Sequence, residues 1–490
     1  GLDEGTPQPV KALTEAWTLA SFLGRVNYTY RDRYLLTASV RADGSSKFQL
    51  DNKWSYFPSV AFAWRLINEP FLKKVRSLSD AKFRVSWGLT GNNRVSDYAT
   101  YAQLGFPMAA YYSFDDALAQ SAIPEGLASE DLKWESTSQV DMGLDLGFFN
   151  QRISLTADYY KKTTSRLLLN AKLPPTTGYA SAYKNIGKVS NEGLEISLHT
   201  VNVQTRKFSW TTGFTISFNK SKVLALTQDQ ESLESFMNWD QWYNSTSLYL
   251  AKLGQPMGQI YGYIYDGVYQ YSDFNQQADG SYMLKPGEPV QSGENASQVQ
   301  PGDAKYKDLN GDGIVNDYDR TVIGRGFPVH QGGFTNDFRY GNFDLNLFFQ
   351  WSYGNDIVNA NRLVFEMGNK LYLNQFKSFE NRWEPDHTNT DIPRAGGQFG
   401  YVYSSRVVED GSYLRLKTVS LGYRLPTSLL KRSGIYSCRF YLSAQNLITW
   451  TGYSGSDPEV SIHYSALTPG FDYSAYPRPR TMVVGVNLSL

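Results

Sequence analysis

Strict alternation of apolar and polar residues is the feature that most constrains what this chain can fold into. From Phe343 to Tyr353, every odd-numbered residue is apolar or aromatic, and the same period of two recurs in 34–42 and 82–89. Successive side chains of a strand point to opposite faces of a sheet. A period of two over nine to eleven residues therefore predicts a strand with one apolar and one polar face.

About thirteen such strands are predicted along the chain. They lie near 17–29, 34–44, 56–66, 80–90, 137–148, 151–163, 192–201, 207–219, 332–340, 343–353, 412–424, 437–448 and 479–490. Their connections alternate between two kinds. Those of the first kind are short, near 30–33, 149–150, 202–206 and 341–342, or of medium length, at 67–79 and 425–436. Those of the second kind are long, at about 45–55, 91–136, 164–191, 220–331, 354–411 and 449–478. This alternation is the topology of an up-and-down antiparallel sheet with its long loops at one end.

The apolar face of this sheet decides between two fold classes. A soluble sandwich would cover that face with a second sheet. A transmembrane barrel turns it to lipid, with short periplasmic turns, long extracellular loops and aromatic girdles at the strand ends. The soluble alternative does not explain the loop asymmetry. We therefore predict an all-β, transmembrane, antiparallel up-and-down β-barrel, with girdle residues Tyr28, Tyr30, Trp64, Trp87, Trp351, Tyr353 and Tyr423.

The strand count and the last strand predict how the chain fits into a complete barrel. Residues 481–490 alternate with apolar side chains at every even position, as is typical of the final strand of bacterial outer-membrane barrels. Complete bacterial barrels have an even number of strands. We therefore expect residues 1–490 to be the C-terminal portion of a larger barrel whose earlier strands lie elsewhere.

Composition excludes several other classes of protein. Lysine plus arginine and aspartate plus glutamate each number 47, so no overall basic charge favours a nucleic-acid partner. The single cysteine, Cys438, excludes a disulfide framework. No apolar run reaches the length of a transmembrane helix. The histidines are scattered, and neither a Gly-x-Ser-x-Gly elbow nor a glycine-rich phosphate loop occurs, so we predict that the chain is not an enzyme.

Residues 308–319 have the spacing of a twelve-residue calcium loop. Oxygen-bearing side chains occupy positions 1, 3, 5, 9 and 12, and glycine occupies position 6. Aspartate replaces the usual glutamate at position 12. The alternative is a solvated turn that binds no ion. The pattern favours a structural Ca²⁺ site whose ligands are Asp308, Asn310, Asp312, the Ile314 carbonyl, Asn316 and Asp319.

Two further groups of residues are candidates for contact with a ligand. The segment 236–243 mixes aromatic rings with amides, and Trp239, Trp242 and Tyr243 could bind a substrate or equally pack a loop against another protein. Polar positions of the strands would face the barrel lumen, either as substrate contacts or as ordinary wall residues: Arg84, Ser86, Asp145, Asp158, Asp344, Asn346, Gln350, Arg439, Gln445 and Asn487.

Short motifs in a fixed order resemble a known family, the SusC-like (RagA-like) TonB-dependent outer-membrane transporters. They span nearly the whole chain, at 24–28, 41–48, 57–61, 87–92, 132–135, 185–187, 191–195, 320–324, 381–383, 391–394, 409–417 and 444–447. Each motif alone is weak, but their combination in this order is specific.

The resemblance implies a 22-stranded barrel with an N-terminal plug domain. It also implies import of oligosaccharides or oligopeptides through the outer membrane of a Bacteroidetes-type Gram-negative bacterium. The TonB–ExbB–ExbD complex would energise import, and a SusD-like lipoprotein would cover the mouth. We expect the plug and the TonB-binding segment to be absent from residues 1–490. The chain ends in Leu490, where such barrels often end in phenylalanine.

Two alternatives to nutrient import stay open at this point. A SusC-like barrel could serve as a structural or assembly partner in an outer-membrane complex. The calcium-like loop could instead belong to a soluble calcium-binding adhesion module.

Overall fold

The computed structural model describes residues 14–105, 111–172, 175–179, 181–226, 230–291, 295–368, 370, 372–398, 401–431, 434–462 and 465–489. Its main feature is a sheet of thirteen strands, which confirms the predicted number. The strands, numbered β1 to β13, are Leu19–Tyr30, Tyr34–Ser45, Trp54–Arg65, Leu78–Asn92, Glu135–Phe148, Ile153–Ser165, Lys188–Gln204, Phe208–Ala225, His330–Tyr340, Phe343–Tyr353, Tyr413–Arg424, Ser437–Thr451 and Thr481–Ser489.

Neighbouring strands of the main sheet pair antiparallel in chain order, from β1 at one edge to β13 at the other. The connections lie alternately at the two ends of the sheet, as predicted, although 46–53 is shorter than 66–77 and 425–436, so the predicted contrast in length does not hold for 46–53. Those at one end are 31–33, 66–77, 149–152, 205–207, 341–342 and 425–436, and those at the other are 46–53, 93–134, 166–187, 226–329, 354–412 and 452–480. We call these the short-turn end and the long-loop end. The sheet is therefore an up-and-down meander.

The register separates the main sheet into an apolar and a polar face. Met142, Tyr159, Leu194 and Phe218 face one another across β5 to β8, so they share one face. Met142, Tyr159 and Leu194 are exposed. Asp158, Glu195, Ser217 and Gln331 form the adjacent row, on the opposite face. A solvent-exposed apolar face on a long meander is the arrangement of a lipid-facing sheet.

Ion pairs cross the strands on the polar face. The Arg84 guanidinium donates to both oxygens of Asp145, at 2.9 Å each, and to Asp158 at 2.8 Å. Gly143 pairs with Arg84 on one side and with Asp158 on the other. A side chain at Gly143 would place its Cβ 2.2 Å from Asp158 Oδ1 and 2.6 Å from the Arg84 guanidinium. Glycine here leaves the room in which Arg84 reaches two carboxylates.

Aromatic rings cluster near the strand ends, as the girdle prediction expects. At the short-turn end Tyr34 stacks between Tyr30 and Trp64, with ring centroids 6.5 and 6.1 Å away. Tyr353, at the long-loop end, stacks on His330 at 5.0 Å. These amphipathic rings suit the two boundaries between hydrocarbon and water.

The two edges of the main sheet are open. Within the described residues, β1 pairs only with β2, and β13 pairs only with β12. Every residue of β1 is exposed, and Met482, Val484 and Leu488 of β13 are too. Unpaired edges of this length invite further strands, because their backbone N–H and C=O groups have no partners.

Helical structure is minor. The two α-helices are Arg362–Phe365 and Thr427–Leu430, and the 3₁₀ helices are Leu50–Asn52, Leu66–Asn68, Pro175–Thr177, Tyr271–Asp273, Asp317–Asp319, Lys377–Asn381 and Ser405–Val407. None of the helices in the described ranges has the length and apolar character needed to cross a bilayer.

Small sheets occupy the long loops. Their strands are Gln103–Gly105, Tyr111–Phe114, Ala117–Gln120, Ile123–Gly126, Leu168–Lys172, Ser181–Asn185, Ser232–Met237, Thr246–Lys252, Gln259–Gly262, Tyr265–Val268, Phe274–Gln276, Tyr282–Leu284, Val290–Gln291, Ala304–Tyr306, Ile314–Val315, Thr321–Arg325, Asp356–Asn359, Val408–Asp410 and Phe471–Asp472. The largest of these sheets runs in the order Ser232–Met237, Thr246–Lys252, Gln259–Gly262 and Thr321–Arg325. The long loops are thus ordered by pairing within and between them.

Candidate functional site

Three of the long loops share one apolar core above the long-loop end of the main sheet. We call this cluster the loop core. Loop 226–329 supplies Leu248 and Ile260, loop 354–412 supplies Val358 and Leu363, and loop 452–480 supplies Phe471, all at most 2% exposed. Burial of this apolar surface holds the loops together, in the way that a core holds a soluble domain. The loops at this end of the sheet therefore form a packed structure that can hold side chains in fixed positions.

Loop 452–480 is also tied to the main sheet by ion pairs. Arg415 of β11 donates to Asp457 at 2.5 Å and to Glu459 at 3.1 Å. Burial alone would raise the pKa of Asp457, but the Arg415 guanidinium and the backbone N–H of Glu459 outweigh it and hold that pKa below its usual range. A charge-assisted, fully buried guanidinium fixes geometry well. This contact orients the loop over the polar face.

The structure separates the three aromatic residues predicted to bind substrate. Trp239 stacks on Tyr243 with centroids 4.6 Å apart, and both pack into the loop core. Tyr243 is 6% exposed, and its hydroxyl donates to the carbonyls of Leu363 and Tyr401. Trp242 is 61% exposed and lies under the Lys370 ammonium, 5.7 Å from its ring centroid. Of the three, Trp242 is the one that a ligand could reach without unpacking the loops.

A cavity of about 800 Å³ lies between loops 354–412 and 452–480, and we call it the mouth cavity. Arg362 is central to its wall: it donates to Glu366 at 2.8 Å and to Glu409 at 3.3 Å. Burial opposes the charge of Arg362, but these two carboxylates outweigh that effect and raise its pKa. Asp472 is held by the Tyr453 hydroxyl at 2.6 Å.

The lining of the mouth cavity combines charged, amide, hydroxyl and aromatic groups. Phe365 and Phe376 contribute rings whose centroids lie 5.4 Å apart. The remaining polar lining comes from Asn359, Asn361, Ser378, Ser454, Ser456 and Ser474. Rings beside convergent amide, hydroxyl and carboxylate groups suit a hydroxyl-rich or amide-rich ligand. The cavity thus places ring faces beside hydrogen-bonding groups.

Sequence reasoning missed the mouth cavity. Arg362 and Glu366 are four positions apart, but Glu409 and Asp472 lie 43 and 106 positions beyond Glu366, and no short motif joins these residues. The segment 409–417 supported the family resemblance without indicating that Glu409 would contact Arg362. Only the pairing of Asp356–Asn359 with Val408–Asp410 and with Phe471–Asp472 brings these residues together.

The calcium-like loop 308–319 folds around its own backbone amides. Asp308 accepts from the N–H groups of Gly311 and Gly313, both at 2.7 Å, and the Gly313 bond is the main cause of its lowered pKa. Asp319, which is fully buried, accepts from the N–H of Leu309 and of Asn316, both at 2.8 Å. Asn310, Asp312 and Asn316 likewise accept from amides two residues further on.

No three histidine, cysteine, aspartate or glutamate side chains in the described residues are arranged to hold a metal. In loop 308–319 the carboxylates point to amide donors, while the Asn310 amide donates to Asp312 at 3.0 Å. Calcium ligation by Asp308, Asn310, Asp312, Ile314, Asn316 and Asp319 therefore stays a prediction. It would require these oxygens to exchange their amide partners for the ion.

The predicted lumen residues lie on the polar face of the main sheet. Asp344 is paired with Arg439 at 2.5 Å and Asn346 donates to Asp337 at 2.8 Å. By register, Ser86 faces Asp141, Gln445 faces Thr418, Gln350 faces Gly333 and Arg415, and Asn487 faces Arg439. Several of these side chains are thus engaged with one another, which supports a role in the wall itself.

Comparison with known proteins places this fold among outer-membrane receptors. Residues 5–318 match the family described as "TonB dependent receptor-like, beta-barrel". The chain is 38% identical over 488 residues to TonB-dependent receptor P3 of Formosa agariphila, covering 99% of this chain and 46% of that protein. It is 30% identical over 481 residues to TonB-dependent receptor SusC of Bacteroides thetaiotaomicron, covering 96% and 44%.

Solved structures agree. The structure of the RagAB peptide transporter matches with a TM-score of 0.78 and 25% identity, over 96% of this chain and 47% of that chain. The RagAB peptide importer in its "open-open" state matches with a TM-score of 0.77 and 26% identity, over 100% and 49%. The chain thus spans about half the length of the curated relatives it matches.

Proposed function

This chain belongs to the TonB-dependent receptor-like β-barrel family, and we propose that it forms part of the wall and mouth of an outer-membrane importer of oligosaccharides or oligopeptides. In this proposal the apolar face of the main sheet contacts membrane lipid and the polar face lines the lumen. The long-loop end is extracellular. Further strands of the same protein complete the barrel by pairing with the open edges of β1 and β13.

The mouth cavity is the observation that best supports a role in import. It lies among loops that share a packed core, so its polar groups are held in place before a ligand arrives. Preorganised polar groups reduce the cost of ordering on binding. Trp242, exposed on the same group of loops, offers a ring on which a sugar or a peptide side chain can stack.

We further propose the partners that import of this kind needs. A SusD-like lipoprotein covers the long-loop end, and a TonB complex supplies energy through a plug domain outside residues 1–490. The relatives' organisms are consistent with a Bacteroidetes-type host. The balanced charge of 47 basic and 47 acidic residues gives no support for a nucleic-acid partner.

Calcium binding by loop 308–319 is a separate proposal. Asp308 and Asp312 supply negative charge. Backbone N–H groups that donate to these carboxylates, together with the glycines of the loop, already fold it into a tight turn. Bound Ca²⁺ would stiffen loop 226–329 rather than act as a sensor, because abundant extracellular calcium suffices for a weak site with Kd on the order of 10⁻⁴ M.

The cargo class is tested by what the receptor retains. The full-length receptor is purified from its native membrane in mild detergent, and released small molecules are identified by mass spectrometry beside the density in the mouth. We expect an oligosaccharide or oligopeptide whose occupancy falls when Glu409 is changed to Ala. If a receptor that still binds its SusD-like lipoprotein retains neither class of molecule, an assembly role would be favoured instead.

A further inference from the structure

A second cavity of about 830 Å³ opens on the apolar side of the main sheet, at the long-loop end. Its floor is the row Tyr159, Leu194 and Phe218, which face one another across β6, β7 and β8. This is the exposed apolar row described above, so the cavity is continuous with the face that membrane lipid would cover. We call it the lateral groove.

Loop segments overhang the lateral groove. The segment 254–257 runs beside the end of β8: the Gly254 N–H donates to the Val223 carbonyl at 2.8 Å, and the Val223 N–H donates to the Gln255 carbonyl at 2.9 Å. These bonds bring Pro256 and Met257 over the floor. They also occupy the backbone N–H and C=O of Val223, in the part of β8 beyond Phe218 where β9 no longer pairs.

Phe327 completes the overhang. Its ring lies against Gly258, whose φ is +69° and whose Cβ, if it had one, would be 2.8 Å from that ring. Val329 follows just before β9 and is partly exposed beside it. The groove therefore has apolar walls on two sides, and its position is fixed by hydrogen bonds and by one required glycine.

Basic side chains stand at the rim of the groove. Lys220 lies one row above Phe218 on the same face, beside Glu192, which is 3.9 Å from Lys161. Arg325 lies across the groove, and its backbone N–H donates to the Asp356 carboxylate. Within the described residues, neither the Arg325 guanidinium nor the Lys220 ammonium makes an ion pair. Glu192 and Asp356 are the acidic groups of the lining, and Lys161 offsets the first of them.

We propose that the lateral groove binds a membrane lipid with a phosphate-bearing, anionic headgroup. An acyl chain would lie on Tyr159, Leu194 and Phe218 under Met257 and Phe327, and Lys220 and Arg325 would bind the phosphate. The apolar floor below and two cations above, which form no ion pair within the described residues, match the order of hydrocarbon and headgroup in a lipid. The inference rests on the proposed membrane embedding but not on import.

A polypeptide is a poorer occupant of the groove. Peptides that add to a sheet need free backbone donors and acceptors at a strand edge. The segment 254–257 already takes the N–H and C=O of Val223 on this edge of β8. The floor, in contrast, needs only apolar contact, which a lipid chain provides.

The test measures lipid binding to the full-length receptor by native mass spectrometry in dodecyl maltoside. Phosphatidic acid is the probe, phosphatidylcholine the zwitterionic comparison and inorganic phosphate the competitor. We expect wild type to prefer phosphatidic acid, and Lys220→Ala with Arg325→Ala to weaken its binding at least fivefold. Millimolar inorganic phosphate should not displace the lipid, because inorganic phosphate has no acyl chain to contact the floor of the groove.

Three further variants keep the test decisive. The charge-preserving pair Lys220→Arg and Arg325→Lys should bind like wild type, and Met257→Asp should weaken binding by placing a charge in the apolar overhang. Lys307→Ala with Lys377→Ala, two exposed bases outside the groove, is the matched control. For each variant, the difference in gel mobility between unheated and heated receptor confirms that the barrel is folded. Equal binding by the Lys220/Arg325 double variant and wild type, displacement by inorganic phosphate, or a polypeptide in the groove would overturn the proposal.

Discussion

The Arg415 guanidinium lies 2.5 Å from the Asp457 carboxylate and is only 2% exposed, so one buried ion pair joins β11 to loop 452–480. Replacing Arg415 by Met leaves the Asp457 carboxylate without its cation, whereas Glu459 keeps Lys417 and Arg478. Removing one partner of a buried pair costs about 3–5 kcal/mol. We predict that loop 452–480 detaches, which limited proteolysis and hydrogen exchange would detect. Lys417→Ala is the control, because Lys417 has a single, partly exposed contact to Glu459 worth at most about 1 kcal/mol.

The same contact predicts an acid dependence. The pKa of Asp457 is lowered in the folded protein. A carboxylate whose pKa is lower in the folded than in the unfolded state stabilises the folded state. This stabilisation is fully present at pH values above the unfolded-state pKa, about 3.9, and is lost as the pH falls through the folded-state pKa. Protection of loop 452–480 should thus stay constant from neutral pH to about pH 5 and fall below about pH 4. In Arg415→Met this acid step should shrink; an acid step of unchanged size would exclude Asp457 as its source.

Trp242 and Tyr243 are adjacent but should respond to substitution in different ways. Tyr243→Ala removes a buried ring from the loop core and is expected to cost about 3–5 kcal/mol, with loss of loop protection. Trp242→Ala removes an exposed ring and should leave loop protection unchanged while weakening cargo binding by severalfold. Protease mapping and a cargo titration separate the two effects. Unchanged cargo affinity in Trp242→Ala would remove this residue from the binding surface.

Val484 and Val483 test which face of the sheet meets lipid. Val484 is 81% exposed on the apolar face of β13, and Val483, 45% exposed, points the other way. A lysine on a lipid-facing strand costs about 2–4 kcal/mol near the bilayer centre, whereas a lumen position tolerates it. We predict that Val484→Lys lowers the amount of folded receptor in the outer membrane and that Val483→Lys does not. Equal losses would contradict the assignment of faces.

Calcium binding is tested by Asp308→Ala combined with Asp312→Ala. These carboxylates carry the charge of the proposed site, so the double variant should lose one bound calcium per receptor and become protease-sensitive within 303–327. Metal analysis after dialysis and peptide mapping measure the two effects. Asp279→Ala, which removes an exposed turn carboxylate elsewhere in loop 226–329, is the control. Unchanged calcium content together with unchanged protection would leave loop 308–319 as an ordinary turn.

The main sheet was largely predictable from sequence because alternation is local. All thirteen strands lie where the period of two placed them. The longest extend further: β7 runs from Lys188 to Gln204 and β8 from Phe208 to Ala225, since strand pairing continues beyond the apolar stretch into polar residues such as Ser190 and Lys222.

The loops were not predictable in the same way. The partner of Arg415 is 42 residues away, and Arg362 meets Glu409 across 47. Such contacts depend on how three loops pack on one another, and no short sequence period encodes that. The aromatic segment near Trp239 was recognised as a candidate, but its composition could not tell the buried Tyr243 from the exposed Trp242.

Uptake by cells tests the central claim most directly. Bacteria lacking the receptor gene are given labelled oligosaccharides and oligopeptides, and accumulation is compared with that of wild type, of the complemented strain and of wild type treated with an uncoupler. We predict that accumulation of one cargo class is lost on deletion, restored by complementation and abolished by the uncoupler. Unchanged accumulation of every oligosaccharide and oligopeptide in the deletion strain would contradict import as the function of this barrel.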